Sequence, residues 1–162
     1  MRNSGESTIT GIIPVLSISP MEEDHFELQD ILGRLPDTSE SNHKFRVNAC
    51  TTLPAGLAAL RKRLFEVVIC ERDLHLGSWK DVLEEVTILP DPPSLIVTSR
   101  QADERLWAEA LNLGAYDVLA KPFDRNETTR VMSAAWRAWG RPKRLPMRRE
   151  DHKKLKAVGQ AR

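Results

Sequence analysis

Cysteine is nearly absent from this 162-residue chain, which has only Cys50 and Cys70. Two are too few for a disulfide framework or a cysteine-built metal centre, and they lack CxxC spacing, so two reduced thiols are expected. No apolar run approaches the roughly 20 residues of a membrane-spanning helix. The opening MRNSGESTIT has neither the apolar core nor the cleavage site of a secretory leader. The expectation is therefore a cytoplasmic protein with no membrane contact. There is no Walker loop, no GxGxxG and no GxSxG, which removes the common nucleotide-binding and hydrolase chemistries. His25, His43, His75 and His152 are scattered without ligand spacing, so they are expected to face solvent, and neither a metal nor a cofactor is implied.

What is present is an ordinary globular composition, 41% hydrophobic and 29% charged, at a length that suits one domain. The net charge of +1 conceals an asymmetry. From Arg137 to Arg162 there are ten Lys or Arg against two Asp or Glu, whereas the preceding residues carry fourteen against twenty-one. The body is acidic and the tail is basic.

Between those ends, short apolar runs alternate with amphipathic stretches. Residues 1–11 are polar and small and read as a disordered lead-in. Ile12–Ile18 (IIPVLSI) reads as a strand, and Ser19-Pro20-Met21-Glu22 as a capping box that opens a helix with Met21, Leu28, Ile31, Leu32 and Leu35 on one side. Pro36 and the polar segment after it end that helix. Lys44–Cys50 is a second strand, followed by a helix from Thr52 to about Arg63 built around Leu57, Leu60 and Leu64. Phe65–Cys70 (FEVVIC) is a β-branched run typical of a strand covered on both faces. Ser78 with Asp81 starts the next helix. Ser94–Thr98 is a fourth strand, Asp103–Leu113 a helix stopped by Gly114, and Asp117–Ala120 a short fifth strand. Asp124 and Glu127 begin a last helix with Met132, Ala135, Trp136 and Trp139 on one face. Five β–α units in succession predict a doubly wound α/β fold, a five-stranded parallel sheet with helices on both faces. In such a sheet the functional crevice lies at the carboxyl ends of the strands, where this sequence places Ser19-Pro20, Glu71, Thr98-Ser99 and Lys121-Pro122-Phe123.

The segments VLSISPMEEDHFELQDIL, FEVVICERDL, LIVTS and GAYDVLAKPFD, in this order and spacing, resemble the receiver domain of bacterial response regulators over roughly residues 12–140. The resemblance implies a single flavodoxin-like domain with strand order 2-1-3-4-5 and a cis bond between Lys121 and Pro122. It also implies a place in two-component phosphorelay signalling, with a histidine kinase or a downstream regulator as protein partner. Working receivers hold Mg²⁺ on two adjacent acids after the first strand and accept a phosphoryl group on an aspartate ending the third. Here those positions read Ser19, Pro20 and Glu71. Serine is a poor ligand for Mg²⁺ and proline has no ligating side chain. The extra methylene of Glu71 moves its carboxylate by about 1.5 Å, enough to damage reactivity. Glu22, Glu23 and Asp24 are carried by the expected helix beyond the strand end. The resemblance therefore implies a pseudo-receiver, not an enzyme, with Glu71 at the phosphoacceptor position and Thr98 and Lys121 at the switch positions. Glu71 either mimics a phosphorylated aspartate or forms an ordinary ion pair with Lys121. Val118 falls where the family has a switch aromatic, with Tyr116 nearby. The alternative functions are a phosphorelay receiver that uses an atypical acid set and a nucleic-acid-associated regulator that acts through the basic tail.

Residues 141–162 contain two prolines and no aromatic, too short and polar for a helix-turn-helix module or any second domain. A solvated tail, a truncated linker and weak salt-sensitive contact with nucleic acid or an acidic partner all fit it. A homodimer is also compatible with the family. In this fold Cys50 and Cys70 would lie on strands flanking the first, roughly 9–10 Å apart and beyond disulfide reach.

Overall fold

The computed structural model describes residues 11–34 and 43–140. Its elements are β1 (Gly11–Ile18), α1 (Glu22–Gly33), β2 (His43–Cys50), α2 (Leu53–Lys62), β3 (Val67–Glu71), β4 (Asp73–Leu74), β5 (Gly77–Ser78), α3 (Trp79–Thr87), β6 (Ser94–Ser99), α4 (Glu104–Leu113), β7 (Asp117–Ala120) and α5 (Arg125–Trp139). The main sheet runs β2-β1-β3-β6-β7, with every pairing parallel. β4 and β5 form a separate antiparallel hairpin that the sequence reading did not anticipate. With that hairpin set aside, the five long strands have the expected order 2-1-3-4-5.

Two-residue alternation divides the core into two layers. Leu16, Ile18, Val68, Cys70, Leu95 and Val97 turn toward Leu53, Trp79, Val82 and Leu106 of α2, α3 and α4. Ile13, Val15, Val67, Ile69, Ile96 and Leu119 turn the other way, onto Leu28, Ile31, Val131, Met132 and Ala135 of α1 and α5. Burial on both faces explains why β3 and β6 are almost continuously apolar.

Side-chain caps fix most helix starts. Ser78 and Asp81 form a complete capping box. Thr52, Asp103 and Asp124 accept from the amides of Ala55, Leu106 and Glu127 at 3.2, 2.9 and 2.8 Å. Gly114, at φ 113°, closes α4 in a left-handed conformation that a side chain would strain. α1 departs from expectation, because no capping box forms at Ser19. The helix begins at Glu22, and Met21 occupies the cap position without a side-chain bond. Ser19 instead accepts from the Met21 amide at 3.2 Å and donates to Asp24 at 2.6 Å. α2 ends at Lys62, and the extended Arg63 throws Leu64 off the helical face, leaving it 58% exposed. Leu35, Pro36, the lead-in before Gly11 and residues 141–162 lie outside the described residues. Among the described residues, no helix is long and apolar enough to cross a membrane.

Candidate functional site

The alternation that builds the α1-facing core does not stop where the apolar residues do. Following Ile13 and Val15, the next two positions of that face are Ser17 and Ser19. Following Val67 and Ile69 it reaches Glu71, following Ile96 it reaches Thr98, and following Leu119 it reaches Lys121. The parallel register sets Glu71 directly beside Thr98. One layer of the core thus ends in a polar cluster at the carboxyl edge of the sheet, the location expected for a site in this topology.

Lys121 is the hub of the cluster. Its Nζ lies 2.7 Å from Asp24 Oδ2 and 2.5 Å from Glu71 Oε2. Thr98 Oγ1 donates to the same Glu71 oxygen at 3.0 Å, and Ser19 Oγ donates to the same Asp24 oxygen at 2.6 Å. Each engaged carboxylate oxygen thereby receives one ammonium and one hydroxyl donor. Burial disfavours the Lys121 ammonium, but the hydrogen bonds and charges of Asp24 and Glu71 outweigh it, so Lys121 titrates above the ordinary lysine value. The Lys121–Pro122 peptide is cis, as the resemblance implied.

Glu71, Thr98 and Lys121 are therefore brought together, and Ser19 joins them through Asp24. Pro20 does not join; it is exposed at the mouth of the crevice with Met21, Arg72 and Arg100. Asp24 corrects the expectation that α1 carries its acids past the strand end. Because the helix starts at Glu22 rather than beside Ser19, Asp24 falls in its first turn and points back over the sheet edge. His25 corrects another expectation. It is buried, with Nε2 3.0 Å from the Ser19 carbonyl and Nδ1 2.8 Å from Ser17 Oγ. A carbonyl can only accept, so Nε2 carries a proton, and in the neutral ring Nδ1 accepts from the Ser17 hydroxyl. His43 and His75 are exposed as expected, His43 against the Trp136 ring at a centroid distance of 4.5 Å. His152 lies outside the described residues. Ser17 and Ser19, polar at two successive inward positions of an otherwise apolar strand, were the available signal that α1 must bring polar partners.

The donor set does not fit Mg²⁺. The oxygens that face each other, Asp24 Oδ2 and Glu71 Oε2, are bridged by an ammonium, and both already accept from hydroxyls. Among the described residues no group of three or more His, Cys, Asp or Glu side chains converges as ligands. Val118 is buried within the sheet, and Tyr116 is half-buried against the α1-side core. Trp136 packs partly on that same core. Both cysteines pair in register with Ile18 from opposite sides and are free thiols.

Comparison with known proteins agrees with this fold. The chain matches the response regulator receiver domain over residues 22–133. It is 33% identical over 95 residues to the transcriptional regulatory protein CutR of Streptomyces coelicolor, across 57% of this chain but only 42% of that regulator. The chain thus spans less than half the length of the curated relative it matches. Among solved structures it is similar to the signal receiver domain of an HD domain-containing protein from Pseudomonas fluorescens, with a TM-score of 0.66 and 22% identity over 78% of this chain and 96% of the other. It is also similar to the chemotaxis response regulator CheY4 of Vibrio cholerae, with a TM-score of 0.65 and 14% identity over 76% and 98% of the two chains. At these identities the structural likeness establishes the fold.

Proposed function

Since this chain belongs to the response regulator receiver domain family, we propose that it is an atypical receiver, a signalling module that acts by docking on a protein partner and is not phosphorylated at Glu71. The observation that carries this reading is the Lys121 ammonium between Asp24 and Glu71, with Thr98 bonded to the same Glu71 oxygen. The lysine and hydroxyl positions that would sense a phosphoryl group are already engaged, and the bridging cation is a side chain. Glu71 serves as one half of a neutralised ion pair. The partner is a histidine kinase or a downstream regulator in the cytoplasm. Trp107 and Leu111, one turn apart on α4 and 39% and 44% exposed, offer apolar area for docking or for a homodimer.

One observation favours a second reading. Asp24 restores a carboxylate to the crevice, so an atypical pair of Asp24 and Glu71 could support phosphoryl transfer once Lys121 withdrew. Titration with Mg²⁺ and beryllofluoride, followed by amide NMR, separates the two. Unchanged resonances at Glu71, Thr98 and Lys121 are expected. Saturable shifts confined to those residues would refute the docking-only reading and establish the second.

A further inference from the structure

Outside the crevice, an open groove of about 480 Å³ runs along α5 beside the end of α1. Arg34 contributes from the end of α1, and Arg125, Thr129, Arg130, Ser133 and Arg137 from α5. Positions 125, 129, 133 and 137 recur every four residues with Arg130 alongside, a stripe about 18 Å long at 1.5 Å per residue. Among the described residues lining the groove, none is acidic or aromatic. Arg34 and Arg125 share Asp30 as counter-ion, at 2.8 and 3.0 Å. Arg130 and Arg137 have no ion pair among the described residues. Beyond Gly140 the sequence adds nine Lys or Arg against two Asp or Glu.

Several guanidinium groups interleaved with hydroxyls are the composition that contacts phosphate oxygens, and the guanidinium fork matches phosphate geometry. Its described lining residues also include no buried aromatic or large aliphatic anchor of the kind on which protein–protein hot spots depend. We propose that the α1–α5 groove is a sequence-independent contact site for the phosphate backbone of duplex DNA.

The test is fluorescence anisotropy of the full chain with a labelled random-sequence duplex of about 20 base pairs, across roughly 50–200 mM KCl. R130Q/R137Q, two exposed substitutions whose fold is checked by circular dichroism, is expected to bind about tenfold more weakly at the middle of that range. Its plot of log K against log salt should be shallower by about 2. Asp30→Asn frees Arg34 and Arg125 and is expected to tighten binding severalfold. Wild-type affinity and slope in R130Q/R137Q would overturn the proposal and leave any binding to residues 141–162. Displacement of the duplex by a polyglutamate peptide at lower concentration than by unlabelled duplex would also overturn it, in favour of an acidic protein partner.

Discussion

Replacing Lys121 by methionine tests the electrostatic account of the crevice directly. The substitution keeps most of the aliphatic stem and removes the charge. An exposed ion pair contributes about 0–1 kcal/mol, but that figure does not apply here, because the Lys121, Asp24 and Glu71 side chains are only 5%, 9% and 14% exposed. Removing one partner of a buried pair costs about 3–5 kcal/mol, since the remaining charge stays desolvated. Lys121→Met leaves two carboxylates facing each other, with only the Ser19 and Thr98 hydroxyls, among the described residues, as side-chain donors to the oxygens that Lys121 had bridged. Urea unfolding at neutral pH should therefore show a loss of about 3–5 kcal/mol. The double variant Glu71→Gln/Lys121→Met should recover part of it, because one uncompensated charge is gone. The pH dependence has a definite sign. Lys121 is raised above its ordinary value of 10.5, so its contribution is fully present below that pH and is lost as pH rises through the folded-state value. The gap between wild type and Lys121→Met should hold steady from neutrality to about pH 10 and shrink above it. A variant within about 1 kcal/mol of wild type at pH 7 would refute the reasoning, because it would place the triad in the surface regime.

Two further outcomes follow from buried groups nearby. His25→Leu strands the Ser17 hydroxyl and the Ser19 carbonyl in the interior; at about 1–3 kcal/mol for each unsatisfied group, chemical denaturation should show a loss of at least 2 kcal/mol. Thiol labelling under native conditions should be slow at Cys50, whose pKa burial raises, and undetectable at Cys70, where burial, reinforced by the charges of Glu71 and Asp81, pushes it far higher; equal native reactivity of the two thiols would contradict their placement.

The fold was legible because its signals are local and redundant. The β-branched run at Val67–Glu71 could only be a strand covered on both faces, and Ser78 with Asp81, Asp103 with Gly114, and Asp124 with Glu127 mark helix ends by their own chemistry. Glu71, Thr98 and Lys121 were legible for a related reason, since each sits within two residues of the end of a strand whose position was fixed. Asp24 and His25 were not. Their roles depend on a helix starting near Glu22 instead of beside Ser19, a shift of less than one turn that rotates each side chain from one face to another. A capping box and a serine bonded inward to an aspartate present the same residues, Ser19 followed closely by acids. What separates them is whether a lysine waits 97 positions further on, a non-local fact. The β4–β5 hairpin escaped for a simpler reason, because two-residue strands carry no periodicity to read.

Asp24 also bears on how this domain is set. A ligand can shift a conformational equilibrium only by as much as its differential interaction with the two states. In the described cluster, Lys121 meets both carboxylates, and Thr98 and Ser19 spend their hydroxyl hydrogens on Glu71 and Asp24. An incoming phosphoryl group would have to break those contacts before making its own, so its net gain would be the difference between two charge-assisted sets of similar kind. That difference, on the proposed reading, falls short of the roughly 5.5 kcal/mol needed to invert a population from 1:99 to 99:1. On the proposed reading, the crevice is locked by its own side chains, and the state of the docking surface follows from partner concentration. Lys121→Met is again the informative variant. It removes the ammonium from both carboxylates together while the Thr98 and Ser19 hydroxyls stay on them, and it is the form of this chain in which a divalent cation would find two carboxylates with no lysine between them.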